Sequence, residues 1–404
     1  MTLSSRNILK TASTISLAGA AYPLMNNFAF AAPSLPDKSS FGKMDTIYLN
    51  SASQHPISLA SSRSAELYLS KRRLDPNAPG GRHDSSEPLI NFAKIINADV
   101  SEVAYVENTT SAEQMIVRGL GLPSSGGHII TDEFHFPGSE SLYKGLERRG
   151  VSITRIKPRD GKIIPADIKK AMRPDTKLIA ISLVSMLSGF EHDIKAVCDI
   201  AHEHESLVYA DIIQAAGSLP IDVKNSGLDF AACSTYKWLM GDFGIGFVYA
   251  SKNAQSILKR PGYGSMGFSG AGETNEQDED GFPQNAAGLF TLGTRSYSGI
   301  SILKESLPYI LDIGVDNIHA HSRIMTDMLK EELPKIGYKL RTPLDSNGPL
   351  VVAWKENARE MLTPALNSEN IQISTYADRI RISPSVFNDT NDIEKLLEVL
   401  IKAT

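Results

Sequence analysis

The stretches VYADIIQ at residues 208–214 and ACSTYKW at residues 232–238 decide the fold of this chain. Each opens with a short apolar run, which is typical of a strand buried in the middle of a sheet. The first run ends at Asp211, with an amide side chain three residues later. The second leads into a Ser-x-x-Lys sequence that ends at Lys237. Two successive strands therefore each carry a pair of polar side chains just beyond their apolar residues.

These side chains are the types that a pyridoxal phosphate (PLP) site requires. A lysine amine such as that of Lys237 forms a Schiff base with the cofactor aldehyde. A carboxylate such as that of Asp211 keeps the pyridine nitrogen protonated, so that the ring can act as an electron sink. A neutral donor such as Gln214 can reach the ring hydroxyl. An isolated lysine after a strand would more simply be solvated, but the combination predicts PLP bound through Lys237.

The block from Leu178 to Ala250 resembles the class V aminotransferase-fold enzymes, the family of cysteine desulfurases, isopenicillin N epimerase-like enzymes and kynureninase. A looser likeness runs from about Thr46 to the C-terminus. The resemblance implies an α/β protein of PLP transferase fold type I, with a mostly parallel seven-stranded sheet, helices on both faces and a smaller C-terminal α+β domain. Alternating short apolar runs and helical patterns favour the same architecture. The predicted segments are an export signal peptide at 1–31, an N-terminal segment at 32–60, a large PLP-binding domain at 61–297 and a small domain at 298–404.

The resemblance also implies further cofactor contacts. Thr109 and Thr110 open a helix after a strand, where backbone N–H groups suit a phosphate. Phe136 is expected to stack over the pyridine ring, and His135, one residue earlier, is the alternative. The other expected phosphate contacts are Ser234, Tyr236 and, reaching across from a neighbouring subunit, Thr294. A contact of that last kind implies a homodimer with shared sites.

The stretch RIRIS at residues 379–383 resembles the family's R-x-S motif, whose arginine binds the substrate α-carboxylate. A guanidinium can donate two parallel hydrogen bonds to a carboxylate, which a lysine cannot do. Alternation along a strand puts Arg379 and Arg381 on the same side, so two registers are open. We predict Arg381 as the substrate-binding residue. No metal site is predicted, because the group around His202 has no second set of ligands at zinc spacing.

The first 31 residues have the features of an export signal. Arg6 and Lys10 supply a positive start, residues 11–24 are small or apolar, and the A-x-A sequence at 29–31 makes Ala32 the first mature residue. The stretch SSRNILK resembles a twin-arginine signal with Ser5 in place of the first arginine. That route carries folded proteins, which suits an enzyme loaded with its cofactor before export. The predicted location is the periplasm, with the cytoplasm as the alternative.

Length, net charge and cysteine content limit the classes of function that are open to this chain. A length of 404 residues predicts two domains, and a net charge of −5 predicts no nucleic-acid partner. No apolar run predicts a membrane span. The two cysteines, Cys198 and Cys233, are expected to be buried, and the persulfide-forming loop cysteine of desulfurases has no counterpart. Met186 stands where desulfurases carry an asparagine. The Gly-rich and acidic stretch 264–284 is interpreted as a loop that either borders the active site or is only a solvated insertion.

The predicted function is that of a PLP enzyme acting at the α-amino carbon of an amino acid or a peptide-linked amino acid. The chain resembles a periplasmic family member that tailors a pyoverdine siderophore, in its signal, its lysine context and its lack of a catalytic cysteine. Tailoring of a peptide or secondary metabolite is therefore favoured. Cysteine desulfuration or C–S cleavage, and transamination or epimerisation of a free amino acid, remain alternatives. A catalytically silent binding protein is disfavoured by the intact Lys237, Asp211 and Gln214.

Overall fold

The computed structural model describes residues 34–75, 85–264 and 277–403. The predicted signal peptide and most of the predicted loop at 264–284 lie outside these residues. Over the ranges described, no helix combines the length and the apolar character needed to cross a membrane.

Thirteen strands are described. They are β1 (Ile47–Tyr48), β2 (Val103–Val106), β3 (His128–Asp132), β4 (Ser152–Ile156), β5 (Thr176–Ser182), β6 (Leu207–Asp211), β7 (Phe230–Ser234), β8 (Gly246–Ala250), β9 (Lys339–Leu340), β10 (Val351–Trp354), β11 (Ile371–Gln372), β12 (Ser374–Thr375) and β13 (Arg379–Ile382).

The described α-helices are interspersed with these strands along the chain. They are α1 (Leu59–Leu74), α2 (Ser86–Ile95), α3 (Thr109–Gly119), α4 (Glu140–Glu147), α5 (Pro165–Ala171), α6 (Ile194–His202), α7 (Val223–Ser226), α8 (Lys252–Ile257), α9 (Ala286–Phe290), α10 (Tyr297–Ile313), α11 (Val315–Lys335), α12 (Ala358–Ser368) and α13 (Thr390–Lys402).

The main sheet contains seven strands in the order β2-β8-β7-β6-β5-β3-β4. The pairs from β7 through β6, β5 and β3 to β4 are parallel, whereas β8 is antiparallel to both β7 and β2. Alternate residues of β2 belong to two different apolar clusters: Val103 and Tyr105 to one, Ala104 and Val106 to the other. Both faces of the sheet are therefore covered, which explains why its strands are continuous apolar runs. The predicted fold class is confirmed.

The C-terminal part contains a four-stranded antiparallel sheet in the order β12-β13-β10-β9. Ile380 and Ile382 face an apolar cluster that α11, α12 and α13 also line. The N-terminal segment joins this part of the molecule, because β1 pairs in parallel with β11 and Leu49 is buried in the same cluster. Residues near position 50 are therefore held against β13, with a bridge between Asn50 and Ser383.

Candidate active site

A cavity of about 380 Å³ lies where β5, β6 and β7 end and α3 begins. Such a position, beyond the carboxyl ends of parallel strands, is where open α/β sheets bind ligands. The lining residues are Asn108, Thr109, Thr110, Phe136, Ser182, Val184, Met186, Asp211, Ile213, Gln214, Ser234, Tyr236 and Lys237. The structure therefore brings together all the predicted site residues except Thr294 and Arg381.

Lys237 follows β7 in a turn. The turn is held by Thr235, whose hydroxyl donates to the carbonyl oxygens of Asp242 at 2.8 Å and Ile245 at 3.1 Å. The lysine side chain is buried, and its Nζ receives or makes no hydrogen bond or ion pair among residues 34–75, 85–264 and 277–403. Burial lowers the pKa of Lys237 to about 8, although the nearby Asp211 carboxylate opposes that shift. At pH 7 roughly a tenth of the amine is therefore neutral, far more than in an ordinary lysine, and the neutral form is the nucleophile.

Asp211 and Gln214 have fixed orientations. One carboxylate oxygen of Asp211 accepts the Ile213 backbone N–H at 2.9 Å, and burial raises the pKa of Asp211 despite the opposing charge of Lys237. The Gln214 amide accepts Trp238 Nε1–H at 3.0 Å and donates to the Ala52 carbonyl at 3.0 Å. These two contacts identify its nitrogen, which retains a second N–H. Gln214 can thus act as a donor at the cavity wall.

The start of α3 forms the opposite end of the cavity. Asn108 caps the helix by accepting the Ser111 N–H at 2.9 Å. Thr109 and Ser234 are tied together, since their hydroxyl oxygens are 3.1 Å apart and the Ser234 N–H donates to Thr109 Oγ1 at 2.9 Å. Helix N–H groups and hydroxyls at one point suit a phosphate group. Nearby, the Tyr236 ring stacks on Phe243 with centroids 4.4 Å apart.

The structure separates Phe136 from His135. Phe136 lines the cavity, and its ring occupies the space into which a side chain on Gly138 would project. A glycine at 138 therefore permits that ring position. His135 points into the protein interior, where Nδ1 lies 2.9 Å from Ser182 Oγ and Nε2 lies 3.2 Å from Glu113. Of the two rings, Phe136 is therefore the one that can stack on a flat ligand in this cavity.

Arg381 and Arg379 share the face of β13 opposite the small-domain core, but their surroundings differ. Arg379 pairs with Asp378 at 2.7 Å and lies over the Tyr376 ring at 4.2 Å. Arg381 is 2% exposed and donates from Nη2 to Ser53 Oγ at 2.6 Å and to Ser374 Oγ at 3.2 Å. Its Nε and Nη1 have no partner within the described part of the chain. The guanidinium of Arg381 therefore retains unused donors.

The charge of Arg381 also acts on a group in the cavity, the Lys237 amine. Burial, followed by the like charge of Arg379, lowers the pKa of Arg381, and the Arg381 charge in turn helps to lower the pKa of Lys237. Thr294, by contrast, is exposed and lies outside the cavity lining. Four further lining residues were not predicted from the sequence: Asn108, Ser182, Val184 and Ile213. Ser182 is the clearest omission, because it ends β5 directly beside Asp211 in the strand register.

The chain belongs to the class V aminotransferase family, whose sequence model, described as "Aminotransferase class-V", matches residues 90–396. This is a family of PLP-dependent enzymes. The prediction of an enzyme of this class is therefore confirmed, and so is the PLP prediction at the level of the family. The closer likeness to the pyoverdine-tailoring member stays a prediction.

Individual relatives add detail. The chain is 28% identical over 304 residues to a probable cysteine desulfurase of Methanothermobacter thermautotrophicus, covering 72% of this chain and 73% of the relative. It is 25% identical to the uncharacterized aminotransferase YcbU of Bacillus subtilis, covering 78% and 82% of the two chains.

Solved structures match over most of the chain. The cystine C-S lyase C-DES, in a variant with glycine covalently linked to PLP, has a TM-score of 0.80 at 18% identity, with 91% of this chain and 99% of that chain covered. The cysteine desulfurase of Thermococcus onnurineus has a TM-score of 0.76 at 21% identity, with coverages of 88% and 94%. At these identities the likeness establishes the fold.

Proposed function

We propose that this protein binds PLP through Lys237 and acts at the α-amino carbon of an amino acid or a peptide-linked amino acid. The observation that carries the proposal is a buried lysine with a pKa lowered by burial to about 8, with no hydrogen-bond partner for Nζ among the described residues. It lies in one cavity with a buried carboxylate, Asp211. PLP, when bound, supplies an electron sink for the carbon beside the amino group.

The surrounding residues suit such a cofactor. The Asp211 carboxylate can hold a proton on a pyridine nitrogen, and the free N–H of Gln214 can donate to a ring oxygen. The N-terminus of α3, with Thr109, can bind the phosphate. Once its amine is free, Lys237 Nζ is the base that takes the proton from the α-carbon and returns it.

Arg381 is proposed to bind the substrate carboxylate. Its unpaired Nε and Nη1 are buried donors, which normally have partners in folded proteins. A substrate carboxylate would accept hydrogen bonds from these donors and would also neutralise the buried charge. Arg379 already has Asp378 as its partner and so is the weaker choice.

A second cavity, lined partly by chain neighbours of residues that line the first, supports a peptide-linked substrate. A second cavity of about 1040 Å³ is lined by Phe134 and Leu187, which are close in sequence to the first cavity's Phe136 and Met186. Residues from strands β9 and β13, including Leu340 and Arg379, also line it. The remainder of a peptide would fit here. The signal-like residues 1–31 support the proposal that the enzyme is exported to the periplasm and tailors a peptide or secondary metabolite there.

Cleavage of a C–S bond is the second candidate, favoured by the likeness to a probable cysteine desulfurase. The two thiols argue against a protein-bound persulfide. Burial raises the pKa of Cys198 to about 12, and burial likewise raises the pKa of Cys233 well above its usual value. Neither is an accessible thiolate. A lyase that releases sulfur directly is the form of this candidate that the structure favours.

A homodimer is proposed as the active form. Of the residues of α1, only Ser61 is buried in the single chain, and Leu67, Leu69 and Leu74 are more than half exposed. Apolar side chains on one exposed helix are typical of a surface that a partner covers. Thr294 is also exposed, as a contact made in the neighbouring subunit would require. Light scattering on the purified protein tests the mass directly.

The test of the main proposal uses borohydride reduction of purified enzyme, followed by peptide mapping. The cofactor should be found on Lys237. Lys330 is a matched control because it is also buried, yet it donates to the Leu344 and Ser346 carbonyls at 3.1 and 2.9 Å. Label on Lys330 or on another lysine would contradict the assignment. Incubation with amino-acid and peptide pools, followed by mass spectrometry, then separates peptide tailoring from C–S cleavage.

Export is tested by fractionation of Gram-negative cells that express the full chain. We expect mature protein that starts near Ala32 in the periplasmic fraction, and replacement of Arg6 by glutamine should leave the precursor in the cytoplasm. Full-length wild-type protein in the cytoplasm would show that the enzyme works there.

A further inference from the structure

A buried carboxylate lies directly behind the wall of the cofactor cavity. Glu113, on α3, accepts hydrogen bonds from His135 Nε2 at 3.2 Å, from Ser139 Oγ at 2.5 Å and from the Tyr143 hydroxyl. The side chains of Glu113 and His135 are each 3% exposed. Burying a charged pair is costly, and an apolar pair would pack here at least as well. The cost suggests a role beyond packing.

The contacts favour His135 as a cation. Burial alone would lower the pKa of His135, but its hydrogen bond to Glu113 and the Glu113 charge outweigh burial and raise it. Burial would raise the pKa of Glu113, but the His135, Ser139 and Tyr143 contacts lower it.

The groups that face His135 from other elements agree with this charge. Asp211 on β6 and Asp132 on β3 are carboxylates, and each raises the pKa of His135. Tyr143 on α4 and Tyr209 on β6 are neutral, because burial raises the pKa of each phenol well above its usual value. The charged groups around this imidazole therefore favour its protonated form.

The second nitrogen of His135 connects this pair to the cavity. A protonated imidazole donates from both nitrogens, so Nδ1 donates to Ser182 Oγ over 2.9 Å. The Ser182 oxygen is then an acceptor towards His135, and its own hydrogen must point elsewhere. Ser182 lines the cavity, and its Cα is the register partner of Asp211 across β5 and β6. Because Ser182 and Asp211 both line the cavity, the Ser182 hydroxyl hydrogen can be donated on the cavity side.

We propose that His135 is a positioning residue. As a cation paired with Glu113, it keeps the Asp211 carboxylate charged and turns the Ser182 hydroxyl into a hydrogen-bond donor facing the cavity. The inference rests on the proposed function, because a charged Asp211 matters only if it holds a proton on the cofactor ring. A carboxylate as deeply buried as Asp211 would otherwise tend to take up the proton itself. A simple brace between α3 and α4 would require the hydrogen bonds of Glu113 but not its charge.

The test compares two isosteric substitutions in the holoenzyme. Glu113→Gln removes the charge behind the cavity and keeps an amide that can accept hydrogen bonds. Asp229→Asn is the matched control, because Asp229 is also a buried carboxylate that pairs with a histidine, His202 at 2.9 Å. Asp229 precedes β7, at the end of the strand away from the cavity.

The first readout is nitrogen NMR of labelled histidines, with the His135 signal assigned by its loss in His135→Gln. In the wild type, His135 should keep protons on both nitrogens to a pH above the usual histidine range, because its contacts raise its pKa. In Glu113→Gln it should carry one proton, whereas Asp229→Asn should leave it unchanged. A singly protonated His135 in the wild type would overturn the proposal, whatever Glu113→Gln shows.

The second readout is the pH titration of the visible absorption band of the bound cofactor. Loss of charge at Asp211 would remove a positive charge from the ring, so the nitrogen joined to Lys237 should hold its proton to higher pH. Glu113→Gln should raise the midpoint by about one unit or more, which a one-charge change at close range can produce. Asp229→Asn should leave the midpoint in place. Equal midpoints in all three proteins would contradict the inference, whereas a wild type with no cofactor band would instead contradict the proposed function.

Discussion

Replacing Arg381 with glutamine should weaken the binding of a carboxylate substrate strongly while leaving the fold intact. The guanidinium is 2% exposed, and its Nε and Nη1 lack partners in the described chain, so a substrate carboxylate would meet it in a site with little water. Loss of charge-assisted hydrogen bonds to a buried carboxylate costs about 2–4 kcal/mol. That range corresponds to roughly a 30- to 700-fold rise in the Michaelis constant, since each 1.4 kcal/mol is about tenfold.

Stability should respond differently to the same change. Arg381 makes no ion pair with a carboxylate of the described residues. The folded state therefore contains a buried positive charge that no negative charge balances, which lowers stability. The substitution loses two hydrogen bonds, to Ser53 and Ser374, each worth about 1 kcal/mol, and it relieves a buried charge. The two effects oppose each other. The melting temperature should therefore stay close to that of the wild type.

The assay is steady-state kinetics with a carboxylate substrate, together with the visible spectrum and a thermal melt. Arg379→Gln is the matched control, because it lies on the same face of β13 but is already paired with Asp378. A Michaelis constant that rises more in Arg379→Gln would assign the carboxylate to the other register. A large fall in melting temperature for Arg381→Gln would refute the reasoning, because the residue would then be structural.

Three further outcomes follow from the site. The attachment of PLP to apo-enzyme should speed up as the pH rises through about 8, because the pKa of Lys237 is lowered by burial; stopped-flow absorbance measures this rate, and a midpoint near 10 would contradict it. At pH 7 the neutral amine should be about 300-fold more abundant than in an ordinary lysine. Asp211→Asn should retain PLP but slow α-proton exchange into deuterated water by on the order of 100-fold, since the electron sink is weakened. Cys198→Ala and Cys233→Ala should keep turnover within about twofold, because neither thiol is an accessible thiolate; loss of activity in either would revive a thiol mechanism.

Much of the candidate site could be predicted because its residues lie in short local patterns. Asp211, Gln214 and Lys237 each follow a strand that its apolar run identifies, and the strand ends place them in one cavity. Thr109 is at a helix start that its capping residue, Asn108, makes recognisable. These features depend on secondary structure, which local sequence indicates well.

The residues that the sequence left open depend on distant neighbours. Alternation could not separate Arg379 from Arg381, because both lie on one face of β13. They differ because Asp378 forms an ion pair with Arg379 and not with Arg381. The contact that distinguishes His135 from Phe136 is the hydrogen bond of His135 to Glu113, which lies 22 positions earlier in the chain. No local pattern marks such partners, because they meet only when helix α3 packs beside the end of β3.

The order of strands in the main sheet constrains how this protein can be made. Strand β2 pairs only with β8 in the sheet, although some 140 residues separate Val106 from Gly246. The start of α3, which follows β2, cannot settle beside Ser234 until β8 has entered the sheet between β2 and β7. Such a long-range pairing makes closure of the sheet a late and slow step. A ribosome must therefore release more than half of the chain before a phosphate can bind, and uptake of the cofactor would report that the large domain has finished folding.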